Sequence, residues 1–497
     1  MIPKMQLIKN GEILLSLLAL GFGYKQGVKD HLPAKPNIIF VLTDDQGYGD
    51  LSCLGSPDVS TPNIDHLYRQ SIRFTNFQAS PTCAPSRSAI MTGIEPFKNG
   101  VTHTIYERER LSLANSTIAQ NLKSLGYTTG IFGKWHLGDE EAYQPDHRGF
   151  DEVFIHGAGG IGQHYQGSCS DVPENTYVNP IIKHNGIFEQ TNGFCTDVFF
   201  QQALGWINQM HHERKPFFAY IATNAPHAPY VAPEKYTRKF KEEGYGKDAQ
   251  GFYGMIENID DNIGLLMKKL DEWGMTENTI LIFMSDNGKA WFRNNDPLGR
   301  DGVPDTYNAG MKGYKGSVYE GGTRVPCFIR WPGTLQTGKD IPVLASHYDI
   351  FPTFIEIAGG KIPEGIDGRS LMPLLKNNSA NWQDRYHFVH KGRWKLGENP
   401  DQYKYQTFAI RNQRFRLVNN TELYDLQADP GEENNVIKDY SEVAEQMMEA
   451  YEKWWKNVRP LMINEGYKYE GNEPPFVLEF NRQKTEKGIP NWIPPKL

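Results

Sequence analysis

Short, mainly apolar runs that each lead into polar residues constrain the fold of this 497-residue chain most strongly. Runs of this length and composition are typical of strands that are buried on both faces of a parallel sheet. The four runs, each with the polar residues that follow it, are 37–42 (Asp44, Asp45), 127–132 (Lys134, His136), 216–222 (His227) and 279–284 (Asp286, Asn287). Because helical segments separate them, we predict an α/β sheet with a site outside the carboxyl ends of its strands.

The remaining patterns divide the chain into two regions. Apolar residues recur at spacings of three and four between Ile256 and Leu270, which predicts the clearest helix of the chain. Three short strand patterns and one helical pattern come later, at 407–411, 414–417, 422–426 and 441–458. We therefore predict an α/β domain with the active site over residues 35–375, and a smaller α+β subdomain with an antiparallel sheet over residues 376–497.

Cys83 lies where a helix is predicted to begin. Pro85 suits a first helical turn, and Gly93 suits the end of the helix. Free backbone N–H groups and the positive end of the helix dipole would attract an anion to Cys83, and Arg87 returns to the same helix face four residues later. The alternative is a buried structural cysteine before a short helix, which is the commoner situation for a lone cysteine.

Four side chains that end in oxygen follow two of the predicted strands, and they are Asp44, Asp45, Asp286 and Asn287. Adjacent carboxylates at the end of a buried strand are costly unless a positive charge neutralises them. Oxygen ligands without thiolate or imidazole favour Ca²⁺, with Mg²⁺ as the alternative, over zinc or copper. For Asp44 and Asp45 the simpler interpretation is a helix cap followed by a surface aspartate.

Two lysines and two histidines are further candidates for the site. Lys134 and His136 would share one face if the strand stayed extended through both, because side chains two residues apart point the same way. His227 lies in a loop between two prolines, and Lys315 lies in a glycine-rich loop. Taken alone, a lysine in water and a histidine in a loop are also reasonable interpretations.

Three other stretches bear on the surface and on substrate choice. Residues 149–193 are rich in Gly, His and Asn without clear periodicity, which predicts a long irregular insertion. This insertion offers three candidate substrate contacts, His156, His164 and Tyr165, although each is more often structural or simply exposed in such a segment. The charged run 107–110 is predicted to be a solvated surface stretch. We expect substrate choice to depend on the insertion, on the loop from Trp291 to Tyr307 and on the C-terminal subdomain.

The charge balance argues against general nucleic-acid binding. The chain has 52 Lys and Arg against 59 Asp and Glu, a formal net charge of -7, whereas nucleic-acid binding relies on a basic surface. An acidic polysaccharide would need a local cationic pocket instead. Residues 1–24 have the shape of a signal peptide and too short an apolar run for an ordinary membrane span, which predicts an exported protein, periplasmic or secreted. Cys169 and Cys195 could pair there, but the sequence does not fix the connectivity.

Taken together, these features resemble the type I sulfatase family. Residues 83–87 resemble its C-x-P-x-R signature, in which the cysteine is converted to formylglycine after translation. The other stretches that look like sulfatase motifs, in sulfatase order, are Asp44–Asp45, Gly133–Gly138, Pro226–His227, Asp286–Gly288, Lys315, Leu423–Leu426 and Asp429–Glu432. The resemblance is to arylsulfatase-like enzymes, and a bacterial carbohydrate sulfatase is the expectation. One departure is the glycine-rich stretch 157–162, where some members carry a serine.

The resemblance implies a fold and a cofactor. The fold is alkaline-phosphatase-like, a large mixed sheet between layers of helices with a smaller C-terminal subdomain. A formylglycine-generating maturation enzyme would modify Cys83, and the modified residue would take part in binding Ca²⁺. The implied metal ligands are Asp44, Asp45, Cys83, Asp286 and Asn287.

The resemblance also implies catalytic roles. Arg87, Lys134 and Lys315 would neutralise sulfate oxygens as charge shifts in the transition state. His227 would protonate the departing oxygen, and His136 would take the proton whose removal expels sulfate. The implied substrate is an O-sulfate ester on a sulfated carbohydrate.

Two other functions stay open. The cation, nucleophile and basic residues would suit any tetrahedral oxyanion, so a phosphomonoester or phosphonate hydrolase of the same superfamily is the rival enzyme. A protein that kept Cys83 as a thiol would instead be a catalytically silent binder of sulfated glycans.

Overall fold

A mixed sheet of ten strands carries the apolar runs found in the sequence. The computed structural model describes residues 35–290, 306–376 and 382–497. Within these ranges the sixteen strands are β1 (Asn37–Thr43), β2 (Ile72–Phe74), β3 (Phe77–Gln78), β4 (Thr128–Lys134), β5 (Glu152–His156), β6 (Ile181–His184), β7 (Ile187–Gln190), β8 (Phe217–Ala222), β9 (Thr279–Ser285), β10 (Cys327–Arg330), β11 (Lys339–Ile341), β12 (Ala345–Ser346), β13 (His387–His390), β14 (Phe408–Arg411), β15 (Phe415–Val418) and β16 (Glu422–Asp425). The order in the large sheet is β11-β2-β10-β9-β1-β8-β4-β5-β6-β7.

The four predicted strands are neighbours in this sheet. β1 pairs in parallel with β8 on one side and with β9 on the other, and β8 pairs in parallel with β4. Ile38 and Phe40 of β1 pack into one hydrophobic core, while Ile39 packs into a second core on the opposite face. The strand is therefore apolar throughout because both of its faces are covered.

Helices cover both faces of the sheet. The eleven α-helices of the described ranges are α1 (Pro62–Arg69), α2 (Cys83–Thr92), α3 (Ile118–Ser124), α4 (Cys195–Glu213), α5 (Glu234–Glu242), α6 (Lys247–Glu272), α7 (Glu320–Thr323), α8 (Ile350–Ile357), α9 (Met372–Leu375), α10 (Ser441–Val458) and α11 (Pro475–Glu486). Side chains of α2, α3 and α8 form one core with the sheet, and side chains of α1, α4 and α6 form the other. The predicted α/β class with a large mixed sheet between helices is confirmed.

The C-terminal part adds a smaller antiparallel sheet, in the order β13-β14-β15-β16. Its apolar side chains and those of α10 form a third core, in which Phe408 stacks on Tyr451 with ring centroids 4.2 Å apart. The predicted α+β subdomain is therefore present, with helix 441–458 as expected. The domain boundary between residues 375 and 376 stays a prediction, and the predicted signal peptide at 1–24 lies outside the described residues.

Two sequence-based predictions about residues 107–193 were wrong. The stretch 149–193 is not irregular throughout, because it supplies β5, β6 and β7, with β6 and β7 joining antiparallel at the edge of the large sheet. The run 107–110 is buried, not solvated. Two of its residues have partners from distant segments: Glu107 accepts the Ser168 N–H at 2.8 Å, and Arg110 pairs with Glu140 at 2.9 Å. Both carboxylate oxygens of Glu109 are buried without a partner among the described residues.

Disulfide bonds and membrane-spanning helices can both be checked in the described part of the chain. All five cysteines are free, so the considered pairing of Cys169 with Cys195 is absent. In the described part of the chain, no helix has both the length and the apolar character needed to cross a bilayer.

Candidate active site

Neighbouring parallel strands bring the predicted site residues to one edge of the large sheet. The strands β9, β1, β8 and β4 are neighbours in that order and run parallel, so their carboxyl ends lie at the same edge of the sheet. Asp286 follows β9, Asp44 follows β1, His227 lies in the loop after β8, and Lys134 ends β4. The chain topology therefore assembles residues that are up to 242 positions apart, such as Asp45 and Asn287.

The acidic residues form a tight buried group. Asp45 adopts a positive φ of 68°, and its backbone N–H donates to Asp286 Oδ1 at 3.2 Å. Its carboxylate accepts a hydrogen bond from Asn287 Nδ2 at 2.9 Å. The turn after β1 is thus held against the turn after β9.

Each of three basic side chains pairs with one of the carboxylates. Lys134 Nζ lies 2.7 Å from Asp44 Oδ2, and Lys315 Nζ lies 2.6 Å from Asp45 Oδ2. Arg87 donates twice to Asp286 Oδ2, from Nη2 at 2.8 Å and from Nε at 3.1 Å. Pairing of this kind is what lets so many charges be buried together.

Cys83 is the first residue of α2, as the sequence predicted. Gly93 ends this helix with a φ of 69°, and its N–H donates to Ala89 O at 2.8 Å. One ligand atom each from Cys83, Asp44 and Asp286 lie within 4.8 Å of one another. The cysteine therefore faces the acidic group.

The buried oxygens of this group fit a hard cation. Asp44 Oδ1 and Asn287 Oδ1 have no hydrogen-bond partner among the described residues, although both atoms are buried. An unsatisfied buried oxygen is costly, and a bound cation would remove that cost at both positions. The donor set is made of carboxylate and amide oxygens, which suits Ca²⁺ or Mg²⁺.

Burial and neighbouring charges shift the pKa values of these groups in opposite directions. Burial raises the pKa of Asp44 to about 8, against the influence of Lys134 and with that of Asp286. For Asp45, burial alone would raise the pKa, but Lys315 and His227 outweigh it and lower the pKa. Burial raises the pKa of the Cys83 thiol, despite Lys134 and Lys315. The unmodified thiol is therefore a poor nucleophile in this place.

Two histidines present one ring nitrogen each to the site. His227 Nδ1 bonds to Ala228 O at 2.6 Å, which leaves Nε2 3.7 Å from Asp45 Oδ2. His136 Nε2 bonds to Thr104 O at 2.8 Å, and its Nδ1 has no partner among the described residues. Burial, aided by Lys315 for His227 and by Lys134 for His136, lowers both pKa values, that of His227 to about 3.

The geometry behind Lys134 and His136 differs from the one expected. β4 ends at Lys134, and His136 has a φ of 58°, so the extended conformation does not continue through both residues. The argument from a shared strand face was wrong. A turn, not the strand, places His136 in the pocket.

A pocket of about 240 Å³ opens onto Cys83. Its lining is Cys83, Thr104, Ile105, His136, Gly159, Gln163, Tyr165, His227, Lys315 and Arg393. Tyr165 also lines a neighbouring groove of about 430 Å³, and so does His164. His156, by contrast, is buried with its Nδ1 bonded to Gly157 O at 2.7 Å, and it lines neither space.

Sequence reasoning missed several of these residues. Thr104, Gln163 and Arg393 lie in loops without a recognisable pattern, so nothing in the sequence singled them out. Tyr220 was also missed, although it lies in a recognisable pattern, the predicted strand at 216–222. Its hydroxyl is 3.4 Å from Arg87 Nη1.

Comparison with known proteins identifies the family. The family model described as Sulfatase matches residues 36–360, and the one described as N-sulphoglucosamine sulphohydrolase, C-terminal, matches residues 313–457. The chain belongs to the sulfatase family. Its predicted enzyme class, a sulfuric ester hydrolase, and its alkaline-phosphatase-like fold are thereby confirmed.

Individual relatives cover most of the chain. N-acetylgalactosamine-6-sulfatase of Mus musculus is 30% identical over 450 residues, which is 87% of this chain and 82% of that protein. N-acetylgalactosamine-6-O-sulfatase of Bacteroides thetaiotaomicron is 32% identical over 530 residues, covering 90% and 99%. A crystal structure of Ps i-CgsB in complex with k-i-k-neocarrahexaose superposes with a TM-score of 0.75 at 28% identity, covering 91% of this chain and 98% of that one.

Proposed function

We propose that this sulfatase removes O-sulfate groups from a sulfated carbohydrate, as a bacterial glycan-degrading enzyme. The names of the mouse and Bacteroides thetaiotaomicron relatives support a sulfated amino sugar as one possible class of substrate. The observation that carries the proposal is the pocket itself, in which Cys83, His227 and Lys315 line one space of about 240 Å³. This space is polar and cationic, as a sulfate ester requires.

The residues that would hold the metal are Asp44, Asp45, Asp286 and Asn287, with residue 83 after its modification. The unpartnered oxygens of Asp44 and Asn287 support this assignment. Ca²⁺ is the proposed ion, and Mg²⁺ is the alternative. When bound, such an ion neutralises buried carboxylates and lowers the pKa of an oxygen ligand.

Cys83 is the proposed site of conversion to formylglycine by a maturation enzyme. The signature from Cys83 to Arg87 supports this, as does the raised pKa of the unmodified thiol. The modification would supply a hydrated aldehyde in place of the thiol. The protein would then depend on a partner enzyme for activity.

Three cations of the chain would bind the sulfate group. Lys315 lines the pocket, and Lys134 and Arg87 lie behind it on Asp44 and Asp286. Fixed positive charges around the sulfate group would stabilise the negative charge that develops on its oxygens, because they need no reorganisation during the reaction.

The histidines would move protons at defined atoms. His227 Nδ1 is bonded to Ala228 O, so Nε2 is the atom that would donate to the departing sugar oxygen. A bound sulfate would raise the pKa of His227 by its negative charge, so protonation would accompany substrate binding. His136 Nδ1 would be the proton acceptor, since Nε2 is held by Thr104 O.

Export is part of the proposal. The basic start and apolar run within residues 1–24 support a signal peptide. Periplasmic and secreted locations both agree with this.

A paired assay tests the proposed function. The purified protein, co-expressed with a maturation enzyme, should release sulfate from sulfated sugars and aryl sulfates far faster than phosphate from matched phosphate esters. A clear preference for phosphate would overturn the proposal in favour of the phosphatase alternative.

The proposed role of Cys83 has its own test. Mass spectrometry of the peptide should show formylglycine at residue 83, and Cys83→Ala should lose about 10³-fold or more of the activity. Cys327→Ala is the matched control, because Cys327 is equally buried but lies in β10 away from the pocket. An unmodified thiol at residue 83 without turnover would favour the silent glycan binder.

A further inference from the structure

Arg393 places an additional cation in the pocket that contains Cys83. It belongs to the loop after β13, and so comes from the C-terminal subdomain. Among residues 35–290, 306–376 and 382–497 it forms no ion pair with a carboxylate. Another arginine, Arg108, lies nearby, but it pairs with Glu465 at 3.5 Å and donates to Trp394 O at 3.0 Å.

His103 directs a second donor toward Arg393, from just behind the residues that line the pocket. Its Nδ1 accepts two backbone hydrogen bonds, from Thr104 N at 2.8 Å and Ile105 N at 3.2 Å. Burial, Arg393 and Arg108 lower the pKa of His103, so the ring is neutral and its one proton lies on Nε2. His103 itself is only 5% exposed.

The two donors face each other without an acceptor. His103 Nε2 is 3.2 Å from Arg393 Nη1, and in this tautomer both atoms carry hydrogen. Two converging N–H groups beside an unpaired guanidinium are satisfied by one oxyanion that accepts from both. The described residues supply no such acceptor at this point.

We propose that Arg393, which lines the pocket, binds a second oxyanion of the substrate with the support of the His103 N–H behind it, and that this oxyanion is a carboxylate or a second sulfate ester carried by the sulfated glycan. This inference rests on the proposed function and narrows its substrate to multiply acidic saccharides. The groove beyond Tyr165, also lined by Tyr106 and Tyr469, gives a neighbouring sugar room. Aromatic walls of this kind suit the apolar face of a sugar ring.

Four substrates separate this role from sulfate binding at the reaction centre. They are 4-methylumbelliferyl sulfate, a sulfated hexosamine–uronic acid disaccharide, its carboxyl-reduced form, and that reduced form with a second sulfate. For Arg393→Gln, the ratio of kcat/KM on the acidic disaccharide to that on the aryl sulfate should fall about ten- to hundredfold, mainly through KM. The carboxyl-reduced disaccharide should show no such loss. If the reduced disaccharide with a second sulfate shows the loss again, a sulfate ester takes the place of the carboxylate at Arg393.

The matched control is Lys395→Gln. It removes the same charge from the same loop, and both side chains are exposed, but Lys395 does not line the pocket, so all four substrates should keep their wild-type ratios. An equal loss on the aryl sulfate and the acidic disaccharide, or no loss on either acidic arm, overturns the inference.

A binding experiment separates this inference from the proposed function. Calorimetric titration of the acidic disaccharide into Cys83→Ala, with and without Arg393→Gln, measures the second contact without turnover. Weaker binding by the double variant supports the inference even if the wild type releases no sulfate, which would refute the proposed function alone. Equal binding by both variants overturns the inference.

Discussion

At the residue scale, the site balances three buried carboxylates against three buried or half-buried cations. Lys134 contacts Asp44, and Arg87 contacts Asp286 at 2.8 Å and Asp44 at 3.9 Å. Removing one member would leave a buried charge uncompensated, at a cost of about 3–5 kcal/mol. Substitutions of these residues will therefore change stability and activity together. His227 is a cleaner target, because its closest carboxylate is 3.7 Å away.

His227→Ala should damage turnover of sugar sulfates more than turnover of 4-nitrophenyl sulfate. A sugar alkoxide is a poor leaving group that needs a proton, and general acid catalysis contributes about 10²–10⁴-fold. Nitrophenolate leaves without that help. Steady-state kinetics on both esters measure the difference.

The control for this variant is His147→Ala, since His147 is a surface histidine with a side chain 49% exposed. It should leave both rates at the wild-type level. If His227→Ala reduced both rates equally, His227 would be a substrate-binding residue and not a general acid.

How much of the site the sequence reveals depends on where each residue lies. Asp44 and Asp286 follow apolar strands, and charge at such a position is unusual enough to be recognised. His103 and Arg393 are 290 residues apart in loops, and only the folded chain brings their nitrogens within 3.2 Å. Local pattern carries no information about such a pair.

At the element scale, the C-terminal sheet anchors the segment that carries Lys315. Glu320, at the start of α7, accepts hydrogen bonds from Arg411 of β14 at 3.0 Å and from Arg416 of β15 at 2.6 Å. Its backbone N–H donates to Glu432 Oε2 at 2.8 Å. The small sheet therefore positions the loop that carries Lys315, in addition to packing on its own core.

Arg416→Met should lower the free energy of unfolding by about 3 kcal/mol or more, because it leaves buried acidic side chains short of a partner. It should also lower kcat/KM, since the segment after Lys315 loses an anchor. Denaturant unfolding and aryl sulfate kinetics measure the two effects.

Arg414→Met is the matched control. Arg414 pairs with Asp425 at 2.7 Å, but its side chain is 45% exposed, so the loss should be at most about 1 kcal/mol. Equal effects of the two substitutions would contradict the anchoring role of Arg416.

The edge of the large sheet predicts a pH dependence of stability. His184 of β6 lies 2.9 Å from Glu152 and 3.0 Å from Glu189. Burial lowers the pKa of His184, but the hydrogen bonds and charges of these carboxylates outweigh burial and raise it. A raised pKa means that the folded state binds the proton more tightly than the unfolded state, whose pKa is about 6.5.

His184→Gln should therefore cost more stability at acidic pH than at basic pH. The stabilisation is fully present below a pH of about 6.5 and is lost as the pH rises through the folded-state pKa. Urea unfolding of both proteins across this range gives the difference. A cost that does not change with pH would show that His184 acts through packing alone.

The same edge shows why elements in residues 149–193 were missed. β6 and β7 have four residues each and are unevenly buried; β7 is the last strand of the sheet, and β6 lies next to it. Short strands of this kind have neither the continuous apolar run of β1 nor a clear alternation. The central strands and α10, by contrast, were predictable because packing requires their pattern.

At the scale of the whole molecule, the proposed metal site joins the turns after two central strands. Asp44 and Asp45 follow β1 and Asn287 follows β9, so a bound cation would link segments that are more than 240 residues apart in the chain. An ion that binds only the folded state stabilises the whole fold by mass action. Metal dependence should therefore appear in global unfolding as well as in activity.

Ca²⁺ should raise the melting temperature of the chelator-treated protein, by a shift equivalent to about 2.7 kcal/mol when the ion is at a hundred times its Kd. Asn287→Ala should reduce the shift, because it removes one of the two unpartnered oxygens. Asn262→Ala is the control: Asn262 is buried in α6 and donates to Asp197 at 2.7 Å, so its loss destabilises the fold without touching the site. A full Ca²⁺ shift in Asn287→Ala would exclude Asn287 as a ligand, and no shift in the wild type would exclude this metal. A shift with Mg²⁺ alone would select the smaller ion, for which the same four oxygen-bearing side chains are the ligands.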